Sequence, residues 1–426
     1  MILLPLPVPA ENNEFFVFLS QFSRIYQIIK SVIRFDTLTE AINVPRRRIE
    51  SLDILRGGAI IGVITVHIMF GAGRSVDGMS NGTSVAEFLY AALAMFMIIS
   101  GYLYKKGKDY KTNITTRVLP ILIVLAFSTV LFTALMYGYL FILSYDLGQY
   151  NLVEEIVEVL VGKGCFQNVH DPGYSAGFVA SPFDISAGYY YLQILAVGYL
   201  IFFAVADLVL DDWRKCVVAI VSLFTITGLY VEFIGIQLPF TAQIGPMVAA
   251  FLLIGALMKK YDFALFMENG FHKRNYWVML ISAGIIGLIC IKYFPTGMTL
   301  YNSHFGEYGS WSIITFVIQS LSCGIVLWFI AVMLIRVPIV SDTFRIAGVA
   351  SIVLYSMHMF IAKMIMAPFQ PLGTEYWITL DSLMDRLALL IVTLSILYLI
   401  TFGLYRLKKT LGESTDTEYS PSGSRL

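Results

Sequence analysis

The segment Arg48-Ile-Glu-Ser-Leu-Asp-Ile-Leu-Arg56-Gly-Gly-Ala-Ile-Ile-Gly-Val-Ile-Thr-Val-His67 decides the fold. It is an apolar run long enough to cross a bilayer, with an arginine near its start and a histidine near its end. Eleven positions separate the two, which at 100° per residue is about three turns. Arg56 and His67 therefore share one helix face, roughly 16 Å apart along the axis. Ionisable residues inside a membrane are expensive and point first to function.

The rest of the chain repeats the pattern. Of 426 residues, 58% are hydrophobic and 14% charged, against about 25% charged in soluble domains, and the mean hydropathy is +0.75. Apolar runs predict ten spanning helices near 52–70, 85–104, 118–142, 187–208, 215–235, 243–258, 276–294, 311–335, 346–368 and 383–406, the sixth short. The fold class is an all-α polytopic membrane bundle. Lys and Arg gather in alternate connections, among them Arg46, Arg47, Arg48, Lys105, Lys106, Lys108, Lys111, Arg117, Lys259, Lys260, Lys273 and Arg274. This asymmetry predicts a cell-membrane protein with both termini cytoplasmic. Formal net charge is zero, so no bulk attraction to nucleic acid follows. Four scattered cysteines, with no CxxC or Cys/His cluster, predict neither zinc site nor disulfide framework. The N-terminus lacks a basic n-region and is not read as a cleaved signal peptide.

Three segments flank or interrupt the spans. Residues 1–47 carry Phe15, Phe18, Phe22, Ile25 and Ile29 at helical spacing, which predicts an amphipathic helix lying on the cytoplasmic leaflet or packed on the bundle. The domain proper runs over 48–409. Its long outer loop, 143–186, is expected to hold a short interfacial or re-entrant helix over Leu152–Val161, followed by His170, Asp171 and an aromatic run. Residues 410–426 read as a disordered polar tail.

Within the spans a few side chains carry chemistry. His67 lies about 22 Å above the cytoplasmic end of its helix, where low dielectric keeps an imidazole neutral, as a general base must be. The plainer alternative is a structural histidine. Arg56, with Lys105, Lys106, Lys111 and Arg117 at the same end, offers a cradle for phosphates; snorkelling and ordinary positive-inside charge explain the same residues. Ser351, Tyr355 and His358 form one polar stripe on helix nine, either catalytic or helix-joining. Ser100-Gly101-Tyr102 reads mainly as a small-residue packing contact. Glu232, Lys363 and Arg386 read as structural charges.

Four motifs in this order resemble the transmembrane acyltransferase superfamily, meaning the acyltransferase type 3 family and its heparan-glucosaminide N-acetyltransferase-like relatives. They are Ser51-Leu-Asp-Ile-Leu-Arg-Gly through His67, Met95-Phe-Met-Ile-Ile-Ser-Gly-Tyr-Leu, Arg117-Val-Leu-Pro120 and Ala350-Ser-Ile-Val-Leu-Tyr-Ser-Met-His358. The chain departs at Ile114, where a second arginine is usual, and at Tyr190, where a tryptophan is. The resemblance implies transfer of an acyl group, with acetyl expected, from cytoplasmic acetyl-CoA to a hydroxyl or amine of an extracytoplasmic glycan or glycolipid. His67, Tyr355 and His358 are the expected catalytic residues. Arg56, Arg117, Lys105, Lys106, Lys111 and Ser100 are expected at the cofactor, and Tyr190, Tyr191, His170 and Asp171 at the acceptor. A transporter or flippase using the same ionisable residues is the competing reading, and a non-catalytic scaffold the third. The sequence leaves the oligomeric state open.

Overall fold

A computed structural model describes residues 49–70, 80–143, 152–162, 189–294, 311–369 and 383–416. The expected N-terminal amphipathic helix, and His170 and Asp171, lie outside these residues. The described chain forms fourteen α-helices: α1 (Glu50–Phe70), α2 (Ser80–Tyr102), α3 (Tyr110–Asn113), α4 (Leu119–Ile142), α5 (Leu152–Val161), α6 (Tyr190–Val209), α7 (Trp213–Phe233), α8 (Gly245–Lys260), α9 (Phe263–Asn269), α10 (Arg274–Tyr293), α11 (Trp311–Leu334), α12 (Pro338–Val349), α13 (Ser351–Met366) and α14 (Leu383–Asp416). Among the described residues, ten helical segments are long and apolar enough to cross a membrane, matching the expected spans in order.

The sixth span, expected to be short, runs over Pro239–Lys260 (22 residues), a 3-10 turn leading into α8, and is the hub. Met247 through Leu253 of α8 are fully buried, enclosed by α2, α6 and α7. Lipid is as apolar as leucine, so close backbone approach, rather than burial, must hold such helices together. Glycines supply it here. A Cβ on Gly101 would sit 1.9 Å from the Leu252 carbonyl oxygen, and one on Gly255 the same distance from that of Ile98. Ser100 precedes Gly101 at this crossing, which accords with the packing reading of Ser100-Gly101-Tyr102.

α1 is held the same way by α12. A Cβ on Gly57 would meet the Phe344 carbonyl oxygen at 1.9 Å, and one on Gly348 that of Asp53 at 2.3 Å. This crossing revises the expected ninth span, 346–368, which begins instead at Ser351. Pro338 opens α12 at the first-turn position proline tolerates, and the chain turns at Ala350 after Gly348 has docked on α1. Apolar periodicity alone does not reveal that break. At its first turn α1 takes a cap from far along the chain: the Ser51 amide donates to Glu268 Oε1 of α9 at 3.3 Å, filling one of the donors a helix start leaves free.

α5 is the helix expected within the long loop. Gly162, at φ +105, follows it in the left-handed conformation that favours glycine. At the other end, α14 extends to Asp416, so residues 410–416, expected as the start of a disordered tail, are helical. Propagation from an existing span needs no new nucleus, which lets a polar stretch continue the helix.

The candidate active site

His67 and His358, separate candidates in the sequence, meet. α1 and α13 pack together and place His358 Nε2 3.2 Å from His67 Nδ1, both imidazoles buried. His358 Nδ1 lies 2.6 Å from the Tyr355 carbonyl oxygen. A carbonyl only accepts, so this nitrogen carries the proton, and the neutral ring presents Nε2 as an acceptor. His67 Nδ1–H then donates to it, with Met359 Sδ at 3.3 Å as a weak second acceptor. The lone pair of a neutral His67 is left on Nε2. A histidine held in one tautomer by a partner behind it is the arrangement a general base requires. Arg386 Nη1 donates to the Met69 carbonyl at 2.8 Å and ties down this end of α1.

Beside the histidines stand tyrosines of α6. The Tyr189 hydroxyl donates to the Ser356 carbonyl at 3.0 Å and docks the start of α6 on α13. The Tyr191 ring lies 5.4 Å from that of Tyr355, centroid to centroid, and 6.0 Å from Phe96 of α2. Tyr355 is 5.5 Å from the His358 ring. Tyr190 is buried and in electrostatic reach of Tyr191 and Tyr355. Tyr190 and Tyr191, expected at the acceptor, thus belong to the same interior cluster as the histidines.

Arg56 closes the chain of contacts. It lies in electrostatic reach of Tyr191, Tyr199, Asp53 and Arg117, so the cluster runs from Arg56 through Tyr191, Tyr355 and His358 to His67. Arg117 sits in a π-helical turn, Ile114–Val118, between α3 and α4. Single π-turns are rare and occur often at functional sites, because the extra residue re-aims a side chain. Lys259, at the end of α8, is in reach of both Arg117 and Lys105 and donates to the Tyr104 carbonyl. Four cations from four segments therefore converge. Tyr104 braces them: its hydroxyl donates to Asp207 at 2.9 Å, and burial with that neighbouring carboxylate pushes the phenol up to about 12, which keeps it a donor at neutral pH.

The other expected cofactor residues separate from this group. Lys106 is engaged by Asp211 at 2.5 Å on the surface, and its hydrogen bond and charge hold the Asp211 carboxyl below the usual carboxylate range. Lys111 is exposed in α3, near Asp109, whose side chain caps that helix through the Thr112 amide.

Lys259 and Met359 join the site residues only in the structure, where Glu87 also finds a partner. In the sequence Lys259 reads only as positive-inside charge. Glu87 carried a usable signal, being an acid within a span. It is buried in α2 and receives Gln319 Nε2 at both its carboxylate (2.9 Å) and its backbone carbonyl (2.8 Å). Nine residues separate it from Phe96, half a helical turn out of phase, so it faces away from the tyrosines. Among the described residues no group of three or more His, Cys, Asp or Glu is placed to hold a metal ion.

Comparison with known proteins adds one finding. The profile of the acyltransferase type 3 family, described as an acyltransferase domain, matches residues 49–402. No curated protein matches the chain with significance.

Proposed function

Because the chain belongs to the acyltransferase type 3 family, and is therefore a membrane acyltransferase, we propose that it moves an acetyl group from cytoplasmic acetyl-CoA to a hydroxyl or amine of an extracytoplasmic glycan or glycolipid, with His67 as general base. The observation that carries this reading is the continuous path from the Arg56 cations to the His67–His358 pair. Like charges gathered in one place repel unless an anion joins them, and the phosphates of CoA fit Arg56, Arg117, Lys105 and Lys259. The pantetheine arm is long enough to carry the thioester from that end toward His67. The Lys and Arg asymmetry supports a cytoplasmic position for the cations, on the side that holds CoA, and an outer position for the long 143–186 loop, on the side from which the acceptor would enter.

In the transfer, the acceptor oxygen or nitrogen attacks the thioester carbon while His67 Nε2 takes its proton. The imidazolium that forms is stabilised through Nδ1–H by His358, and it returns the proton to the departing CoA sulfur. The products are the acyl ester or amide and CoA thiol.

His67→Gln tests this assignment. Glutamine keeps the size and a hydrogen bond but takes no proton at neutral pH. Bound CoA, measured by calorimetry on protein in nanodiscs, should be unchanged. Acetyl transfer from labelled acetyl-CoA into membrane vesicles carrying the protein should fall about 10²–10⁴-fold, the usual contribution of a positioned base. A fully active His67→Gln protein sinks the assignment.

A further inference from the structure

Acyl transfer by a base alone leaves one charge unattended. When the acceptor attacks, the carbonyl π electrons move onto the thioester oxygen, and the resulting oxyanion needs fixed hydrogen-bond donors in a water-poor site. Two buried tyrosines stand between the cationic end and the histidine pair.

The Tyr191 and Tyr355 hydroxyls are buried, their residues 5% and 4% exposed, and neither has a hydrogen-bond partner among the described residues. Such a hydroxyl is costly to bury, and phenylalanine would fill the same space without it. Several serines and threonines are also unpartnered, but those side chains readily turn back onto their own helix, whereas a phenol cannot. Tyr276, the other unpartnered phenol, stands in a separate aromatic group with Phe266, Phe271, Trp277 and Phe329. The Tyr191 and Tyr355 rings meet at 5.4 Å, tilted by 57°, with Arg56 in reach of Tyr191 and the His358 ring 5.5 Å from Tyr355. Tyr191 itself lies in the first turn of a twenty-residue helix, α6. First-turn amides are free donors at the positive end of the helix dipole.

We propose that the Tyr191 and Tyr355 hydroxyls, backed by the first turn of α6, form the oxyanion hole of this acyltransferase. This rests on the acetyl-CoA and His67 reading above. The acceptor–carbon bond forms, the carbonyl π pair moves to oxygen and is held by the two phenols, and His67 takes the acceptor proton. Collapse restores the carbonyl, breaks the carbon–sulfur bond and sends the proton from His67 to sulfur. No oxidant or further reactant is needed.

Tyr191→Phe and Tyr355→Phe each remove one oxygen and nothing else. Acetyl transfer from labelled acetyl-CoA into membrane vesicles carrying the protein should fall about 10²–10³-fold in each, the cost of losing one oxyanion donor. CoA affinity should stay within a few-fold of wild type. Thermal stability should hold or rise, since a buried orphan hydroxyl is gone; a structural hydroxyl would lower it. Wild-type transfer in either variant, or a loss of transfer that tracks a loss of stability, overturns the proposal. His67→Gln, run in parallel, separates the two claims. If it is inactive while a Phe variant is fully active, the oxyanion hole alone fails. If His67→Gln is fully active, the base assignment fails. A wild-type protein that neither binds CoA nor consumes acetyl-CoA removes the donor reading and this proposal with it.

Discussion

Substituting Gly57 with alanine tests how far the proposed catalytic geometry depends on one helix crossing. A Cβ there would lie 1.9 Å from the Phe344 carbonyl oxygen, 2.6 Å from its carbon and 3.0 Å from its Cα. All three are backbone atoms, so no side-chain rotation relieves the clash. Ordinary contact begins near 3.4 Å, which requires α12 to retreat by about 1.5 Å or α1 to bend; overpacking of this kind costs about 1–3 kcal/mol. The movement does not stay local. α12 joins α13 through Ala350 alone, whose amide bonds back to Gly348 and Ile346, so a shift of α12 carries α13 and His358 with it. The His358 Nε2 to His67 Nδ1 separation of 3.2 Å would pass beyond hydrogen-bonding range, and a displacement of this size costs about 10²-fold in rate. Gly57→Ala is therefore expected to lower both the unfolding temperature and acetyl transfer, while CoA affinity changes little because Arg56 stays on α1. Gly348→Ala, which strikes Asp53 from the other side at 2.3 Å, should give the same phenotype, and the double variant should be less than additive. Gly138→Ala and Gly284→Ala, where a Cβ meets nothing within 4 Å, serve as controls. A Gly57→Ala protein as stable and active as Gly138→Ala would refute the reasoning.

Other expectations follow from single contacts. His358→Ala should leave CoA binding intact but lower transfer about 10²–10³-fold, since His67 loses the partner that fixes its tautomer; unchanged kinetics would reduce His358 to packing. Lys259→Met should weaken CoA binding measurably by calorimetry, and Lys106→Ala should weaken it less, because the Lys106 ammonium is held by Asp211; equal losses would erase the distinction. The depressed Asp211 carboxyl means any stability from that pair is present above the ordinary carboxylate range and fades as pH falls through the depressed value. Both partners are exposed, so acid titration with and without high salt should find little change, most of it screened by salt. A cysteine placed at position 170 should be labelled from outside intact cells; labelling only after permeabilisation would reverse the proposed orientation and the proposed two-sided route of donor and acceptor.

The number and order of the spans were legible because each needs about twenty apolar residues whatever its neighbours do. The shared face of Arg56 and His67 was legible too, being set by helix periodicity within one segment. So was Arg117, at the start of its span. The breaks were not: Ala350 ends one helix and begins another because Gly348 docks on α1, a contact between residues nearly three hundred positions apart. Nor did the sequence join its two histidine candidates. His67 and His358 lie on different helices, and only their packing makes one the partner of the other. Lys259 looked like any terminal lysine until the approach of Lys105 and Arg117 gave it a place among the cations. Tyr191 looked like part of an outer aromatic run until the start of α6 docked on α13 beside Tyr355. Local periodicity and hydropathy are written residue by residue along the chain, and so the sequence determined the helices and the intramembrane charges. Which charges and hydroxyls meet depends on helix crossings, set by backbone contacts at a few glycines, and those only the tertiary structure decided.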